Sequence, residues 1–145
     1  MMAKSFEIIK DLLEKLQKVE LEMLIEVDRI CRKNKIKYSI MYGTLLGAVR
    51  NSGFIPWDDD CDIMFKRNEY EKFFEACKKD LDTSRLFLRE HRTDPRYLFG
   101  YSKSRINDAV FKKDDQGNIK KYDDIFMDSF IHDNILEDTI EGYFI

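Results

Sequence analysis

Four aspartates occupy five consecutive positions of this chain, directly before a run of large apolar residues. The segment from residue 58 to residue 62 is Asp-Asp-Asp-Cys-Asp, and Ile63-Met64-Phe65 follows it. The apolar run predicts a buried β-strand, which we place at residues 60–65. Like charges at this density repel one another, and burying them without partners is costly. The acids therefore need either solvent or a bound cation at the end of the core where this strand begins.

Strand alternation divides these acids into two sets. Residues two apart in a strand share a face, so Asp60 and Asp62 are expected to converge, with Asp59 pointing away and Cys61 directed to the core. Paired carboxylates suit a hard cation, Mg²⁺ or Mn²⁺, with water and substrate phosphate in the other positions. A solvated acidic surface without a metal is the alternative.

A calcium-binding EF-hand is excluded by the residues around the cluster. Several acids from Asp58 onwards fall on ligand positions of such a loop, but the position that requires glycine holds Ile63. The helix that would enter the loop is interrupted by Gly53 and Pro56. The match in spacing is therefore a coincidence.

The whole chain predicts a single α+β domain, a mixed β-sheet flanked by helices. A long amphipathic N-terminal helix opens it, with apolar residues from Leu12 to Ile30 at gaps of three and four. This helix packs on the sheet or, as the alternative, dimerises as a coiled coil. The predicted strands are 36–42, 60–65, 86–90, 97–106, 109–113 and 125–131, the other helices are 45–50 and 68–81, and a hairpin tip lies at 114–118.

Composition and charge exclude several classes of protein. The 145 residues suit one domain, and 25 basic against 28 acidic residues do not favour a nucleic-acid polymer as partner. The longest uncharged run, residues 38–49, is too short for a transmembrane segment, which needs roughly 20 apolar residues. Three cysteines without a Cys-x-x-Cys pair fit neither a disulfide framework nor a zinc finger. We expect a soluble, cytoplasmic protein.

A second motif stands between the first strand and the short helix. Gly43-Thr44 lies where backbone N–H groups of a helix start can hold a phosphate, and a side chain added at Gly43 would fill that space. It is not a P-loop, because no Gly-Lys-Ser/Thr follows. A strand, a Gly-Thr turn, a helix and then Asp60-x-Asp62 on the next strand together resemble the nucleotidyltransferase (polymerase-β-like) fold.

The resemblance narrows to one family. Residues 42–50, Tyr-Gly-Thr-Leu-Leu-Gly-Ala-Val-Arg, and residues 53–63, Gly-Phe-Ile-Pro-Trp-Asp-Asp-Asp-Cys-Asp-Ile, strongly resemble the LicD family, which includes bacterial phosphorylcholine transferases and is related to animal fukutins. Lys103-x-Arg105 and Phe-Met-Asp-Ser-Phe around Asp128 extend the resemblance. Family members generally continue with more helices, so C-terminal family elements are expected to be missing from residues 1–145. The chain departs from the family pattern at Cys61, Ser129, Ile131 and His132.

The resemblance implies a metal site and its ligands. Asp60 and Asp62 would bind one or two Mg²⁺ or Mn²⁺ ions that bridge the substrate phosphates. Asp128 would be the third metal ligand. It would also be a catalytic residue that helps to deprotonate an acceptor hydroxyl.

The resemblance also implies a substrate-binding set. Gly43 and Thr44 would hold a phosphate, while Arg50 and Lys103 would offset its charge. For Arg50 the alternative is an ion pair with an acid of the cluster, and for Lys103 it is an ordinary solvated lysine.

The activity that follows from the resemblance is a metal-dependent transfer of a phospho-alcohol, such as phosphocholine. The donor would be CDP-activated, the acceptor a hydroxyl of a cell-surface glycan such as lipopolysaccharide or teichoic acid, and CMP would be released. This chemistry needs positioning and charge neutralisation without a covalent intermediate. Two alternatives stay open: a nucleotidyltransferase that leaves the nucleotide on its acceptor, and a non-catalytic pseudoenzyme that binds nucleotide or metal.

Overall fold

The predicted mixed α+β class is confirmed by the structure, a computed structural model that describes residues 2–110 and 124–134. Each predicted strand or helix that falls in those ranges has a counterpart there, with shifted ends. The order is α1 (Met2–Lys33), β1 (Ser39–Ile40), α2 (Tyr42–Asn51), β2 (Asp62–Lys66), α3 (Arg67–Asp80), β3 (Leu86–Arg89), β4 (Ser102–Val110) and β5 (Asp124–His132).

The strand that carries the acids begins two residues later than predicted. On one side β2 pairs with β1 only through Ile63 and Met64, because β1 is just two residues long. On the other side its pairing with β5 begins at Asp62. Since a strand extends only as far as its hydrogen-bonding partners, residues 58–60 lie in the loop before the sheet, where strand alternation does not apply.

One strand stands where the sequence predicted two. Residues 102–110 run together as β4, and the register against β5 shifts between Arg105 and Val110. Such an irregularity lets a strand bend without ending, which accounts for the polar residues at 107–108 that separated the two predicted strands. The hairpin tip predicted at 114–118 lies outside the described residues.

The sheet is mixed, with the strand order β1-β2-β5-β4-β3. Strands β2 and β5 are parallel, whereas the β1–β2, β5–β4 and β4–β3 pairs are antiparallel. The central strand, β5, is the last of the described strands in the sequence. Its two neighbours in the sheet, β2 and β4, are far apart in the sequence.

The two faces of the sheet differ in chemistry. Ile63, Phe65 and Met127 are fully buried and belong to a core to which α1 and α3 contribute, with Phe65 stacked on Phe73 at 4.7 Å between ring centroids. Because alternate residues of a strand point to opposite sides, the other face carries the polar and aromatic members of β2, β5 and β4. We call it the site face; it includes Asp62, Met64, Lys103, Asp128 and Phe130.

The cysteines behave as core residues. Cys31, Cys61 and Cys77 are free and buried, as expected for a chain without a disulfide framework. Cys61 is fully buried, which confirms its predicted direction. No helix within residues 2–110 and 124–134 combines the length and apolar character that a membrane crossing requires.

Candidate active site

Helix α2 is joined to the acid-bearing strand through Thr44. The backbone N–H of Asp62 donates to Thr44 Oγ1 at 2.9 Å, and the N–H of Met41 donates to the carbonyl of Asp62 at 3.1 Å. Thr44 is buried, so its hydroxyl fixes where β2 starts relative to α2. Phosphate binding by Thr44 stays a prediction.

The space beside Gly43 is occupied by an acid of the cluster. A Cβ built on Gly43 would lie 2.5 Å from Asp58 Oδ2, so a side chain at this position would displace the Asp58 carboxylate. Asp58 Oδ2 is buried, and within the described part of the chain it has no hydrogen-bond partner. Burial, together with the charge of Asp60, raises the pKa of Asp58. The start of α2 therefore faces a carboxylate, and phosphate binding at Gly43 stays a prediction.

Strand pairing brings three of the predicted site residues together. Asp62 and Asp128 are neighbours in the parallel β2–β5 pair, and Lys103 is the neighbour of Asp128 in the antiparallel β5–β4 pair. Lys103 Nζ lies 2.9 Å from Asp128 Oδ1, and about a sixth of each side chain is exposed. Lys103 is therefore ion-paired on the site face, which removes the alternative of an ordinary solvated lysine.

The carboxylates of this site hold their protons more tightly than usual. Burial raises the pKa of Asp62 to about 6, and the charges of Asp60 and Asp128 add to the effect. Burial also raises the pKa of Asp128, although the Lys103 ammonium acts in the opposite direction. The Lys103 ammonium is paired with Asp128, while Asp62 lies beside Asp128 in the sheet, so a further cation would be favoured next to Asp62.

The loop before β2 gathers a second set of acids. Asp58, Asp59 and Asp60 each offer a carboxylate oxygen, and these oxygens all lie within 4.8 Å of one another. The expected separation of Asp59 from Asp60 by strand alternation is wrong, because these residues precede β2. That Asp59 points away from a bound metal stays a prediction. The charge of Asp60 also helps to raise the pKa of Asp62, but among the described residues neither Asp62 nor Asp128 joins this group of oxygens.

Two residues of α1 that we did not predict as site residues reach this loop. Gln17 Nε2 donates to the carbonyl oxygens of Ile55 at 3.0 Å and Asp58 at 2.8 Å. Glu20, one turn further along α1, is only 1% exposed, and burial followed by the charges of the aspartate cluster raises its pKa to about 8. In the sequence, Glu20 stands between Leu16 and Met23 on the apolar side of α1, where a glutamate side chain cannot lie in solvent. That position is the sequence feature that could have identified Glu20.

A pH dependence follows from Glu20. Because the folded protein holds this proton more tightly than the unfolded chain, Glu20 destabilises the fold progressively as pH rises from about 5 through about 8. We expect Glu20→Gln, which mimics the neutral acid, to melt at a higher temperature than the wild type at pH 8 and at a similar one at pH 5. The measurement is a set of melting curves in EDTA, with Glu14→Gln on the exposed side of α1 as the control. Equal pH dependence in all three proteins would contradict it.

Arg50 lies in the last turn of α2 and is exposed. Its Nε donates to Asn51 Oδ1 at 3.2 Å. Within the ranges that the structure describes, it makes no ion pair with an aspartate of the cluster, contrary to the alternative raised from the sequence. Its role toward substrate stays a prediction.

The donor set fits the predicted cation. Every candidate ligand is a carboxylate oxygen, the type that Mg²⁺ and Mn²⁺ prefer in proteins. Among the described residues, Asp58 Oδ2 is buried without a hydrogen bond, and Asp128 Oδ1 is buried beside the Lys103 ammonium. A bound cation would satisfy both oxygens.

One protein-family model matches the part of the chain that forms this site. The model of the LicD/FKTN/FKRP nucleotidyltransferase domain matches residues 35–139. The chain belongs to the LicD family. The match runs from before α2 to beyond β5 and so includes every predicted site residue, whereas α1 with Gln17 and Glu20 precedes it.

Individual relatives agree with the family match. The lipopolysaccharide cholinephosphotransferase LicD of Haemophilus influenzae is 33% identical over 125 residues, which cover 82% of this chain and 43% of that protein. An uncharacterized protein of Rickettsia prowazekii is 35% identical over 77 residues, covering 40% of this chain and 29% of the relative. One of Rickettsia typhi is 52% identical over 42 residues, covering 29% and 14%. The chain thus spans less than half the length of each of these LicD relatives.

Proposed function

We propose that this LicD-family domain transfers phosphocholine from a CDP-activated donor to a hydroxyl of a cell-surface glycan, of which lipopolysaccharide is the first choice. The proposal rests on membership of the family and on the activity for which the Haemophilus relative is named. The structural observation that supports it is the placement of Asp62, Asp128 and Lys103 on three adjacent strands.

In this reaction the acceptor hydroxyl oxygen attacks the phosphorus atom that bears choline. A new phosphorus–oxygen bond forms, the bond from that phosphorus to the bridging oxygen of CMP breaks, and CMP leaves with the electron pair. The hydroxyl proton passes to a carboxylate oxygen of Asp128, whose raised pKa suits a proton acceptor. Lys103, 2.9 Å from Asp128 Oδ1, offsets charge on both the acid and the phosphate.

The proposed cofactor is Mg²⁺ or Mn²⁺, held by Asp60, Asp62 and Asp128. When bound, the cation neutralises charge that develops on the phosphate oxygens. Asp58 is a further ligand candidate because its buried Oδ2 has no hydrogen-bond partner within the described residues. The Gln17 side chain, which bonds both Ile55 and Asp58, holds the loop in place.

Phosphorus NMR tests this function directly. The purified protein is incubated with CDP-choline, Mg²⁺ and lipopolysaccharide that lacks phosphocholine. We expect a CMP signal to grow together with a phosphodiester signal in the glycan fraction, and neither to grow beyond the slow rate of donor hydrolysis when the acceptor is omitted. CMP joined to the acceptor would identify a nucleotidyltransferase instead. No turnover with either lipopolysaccharide or teichoic acid would support a non-catalytic protein.

A further inference from the structure

Five aromatic side chains form a continuous series beside the acidic site. Neighbouring ring centroids lie 5.3 Å apart for Tyr97 and Phe99, 5.5 Å for Phe99 and Tyr101, 5.0 Å for Tyr101 and Phe130, and 5.6 Å for Phe130 and Tyr42. We call these rings the aromatic series. Only Tyr97 at one end of the series is buried, so the other four rings keep part of their surface in solvent.

The aromatic series lies on the site face. Phe130 follows Asp128 by two positions in β5, and two residues apart is the spacing at which side chains share a face. Tyr101 stands two positions before Lys103, whose Nζ is 5.5 Å from the Tyr101 ring centroid. Tyr42 directly precedes Gly43 at the start of α2. The rings therefore border both the Asp128–Lys103 pair and the helix start.

This face already holds a cation against aromatic rings. Lys103 Nζ lies 3.4 Å from the centroid of Phe126, in addition to its contact with Tyr101. A positive charge over a ring face is attracted by the negative face of the π system. Because Lys103 is also paired with Asp128, rings and carboxylate act on one cation together. From Tyr101 the ring contacts continue to Phe130 and then to Tyr42.

Tyr42 is held in a conformation that its side chain does not favour. Its φ of 49° lies in the left-handed region, and its side chain is 62% exposed. Such strain in a residue other than glycine persists only where the surroundings enforce it, and it concentrates at functional sites. Its ring meets Phe130 edge to face, with an interplanar angle of 90°. The fold thus places an exposed aromatic ring at the edge of the acidic site.

We infer that Tyr42, Phe130 and Tyr101 bind the quaternary ammonium group of the donor's alcohol. The inference rests on the proposed function and names which part of the donor this surface recognises. A trimethylammonium group has no N–H to donate, so ring faces recognise it where hydrogen-bond acceptors alone do not. In choline only two carbons separate that group from the phosphate ester, so phosphate bound at the acids places the ammonium next to the adjoining rings.

The ring faces favour a cationic occupant over a neutral one. The negative face of each π system attracts a positive charge, and this attraction adds nothing for an uncharged sugar ring. A sugar of the acceptor could stack on the same rings, and the experiment separates the two occupants.

The experiment compares two donors that differ in one atom. CDP-choline and its neutral isostere, the CDP ester of 3,3-dimethylbutanol, have the same shape, with carbon in place of nitrogen. Equilibrium dissociation constants for both are measured by titration calorimetry with Mg²⁺ present. We expect the wild type to bind CDP-choline about tenfold more tightly, the preference that ring faces give a partly desolvated ammonium.

Four variants assign that preference to the rings. Tyr42→Leu and Phe130→Leu should reduce the ratio of the two dissociation constants to below about threefold, mainly by weakening CDP-choline. Tyr42→Phe keeps the ring and should keep the ratio. Phe87→Leu removes a partly exposed ring of β3 that is not in the aromatic series, and it should also keep the ratio. Because Tyr42 is exposed, its two variants decide the matter even if Phe130→Leu fails to fold.

Each outcome bears on the inference. A wild-type ratio near one, or an unchanged ratio in Tyr42→Leu, overturns it. A higher KM for the glycan in Tyr42→Leu with an unchanged donor ratio would assign the rings to the acceptor sugar, which also overturns it. A ring-dependent ratio without any CMP release would support the inference, while the proposed function itself would fail.

Discussion

Asp62→Asn is expected to lower CMP release by at least about a hundredfold, because it removes a proposed metal ligand from the centre of the site. The same variant should lose the rise in melting temperature that Mn²⁺ gives the wild type. In EDTA it should melt no lower than the wild type. Burial and neighbouring charges already raise the pKa of Asp62 to about 6, so its charged form is unfavourable in the folded protein and a neutral amide relieves that repulsion.

Asp60→Asn should behave in the same way, because the charge of Asp60 acts directly on Asp62. Asp11→Asn is the matched control, since Asp11 is an exposed aspartate of α1 that pairs with Lys15 away from the cluster. The measurements are initial rates with CDP-choline and melting curves with Mn²⁺ and with EDTA for all four proteins. Equal Mn²⁺ shifts in the four would show that the cluster is an ordinary acidic surface.

Gly47→Ala is expected to destabilise the fold by about 2 kcal/mol or more, which lowers the melting temperature by roughly 5–10 °C. A Cβ at this position would lie 2.5 Å from the carbonyl oxygen of Gly53 and 2.9 Å from the amide nitrogen of Ile55. Both are backbone atoms, so no rotation of a side chain relieves the clash. The loop must move instead, and that loop leads into the aspartate cluster.

Gly53→Ala tests this explanation within the same loop. A Cβ at Gly53 meets no atom within 4 Å, so we expect a change in stability of no more than about 0.5 kcal/mol. Thermal melting of the two variants, with CMP release measured below both transitions, distinguishes the effects. If Gly47→Ala melts like Gly53→Ala, helix α2 does not pack on the loop as closely as described.

The residues that the sequence predicted best are those fixed by strand pairing. Asp62, Lys103 and Asp128 were each predicted at or near strands, and the sheet brings them together on adjacent strands. Cys61 faces the core as predicted, because its carbonyl accepts from the N–H of Asp128 and carries the alternation one residue before β2. These predictions hold because a strand's period of two is set by the backbone alone.

The residues that the sequence predicted poorly depend on contacts between distant segments. Asp59 joins Asp58 and Asp60 because β1 is too short to extend β2 backwards, and no local pattern around the acids reveals how long β1 is. Glu20 and Gln17 reach the same loop from a helix that ends before the motif begins. The position of Glu20 among the apolar residues of α1 indicated that it is unusual, but its neighbours in the loop could be named only once the packing of α1 was known.

The central place of β5 ties the formation of the site to the order in which the chain folds. In the sheet, β5 is the strand that connects the β1–β2 pair with the β4–β3 pair. The pairing of β5 with β4 joins consecutive strands, whereas its pairing with β2 joins segments far apart in the sequence. Contacts between segments so far apart in sequence form late, because closing a long loop costs entropy before any contact compensates for it. Asp128 therefore meets Asp62 in the late event that joins the two half-sheets, and an incompletely folded chain has no assembled acid pair with which to attract a cation.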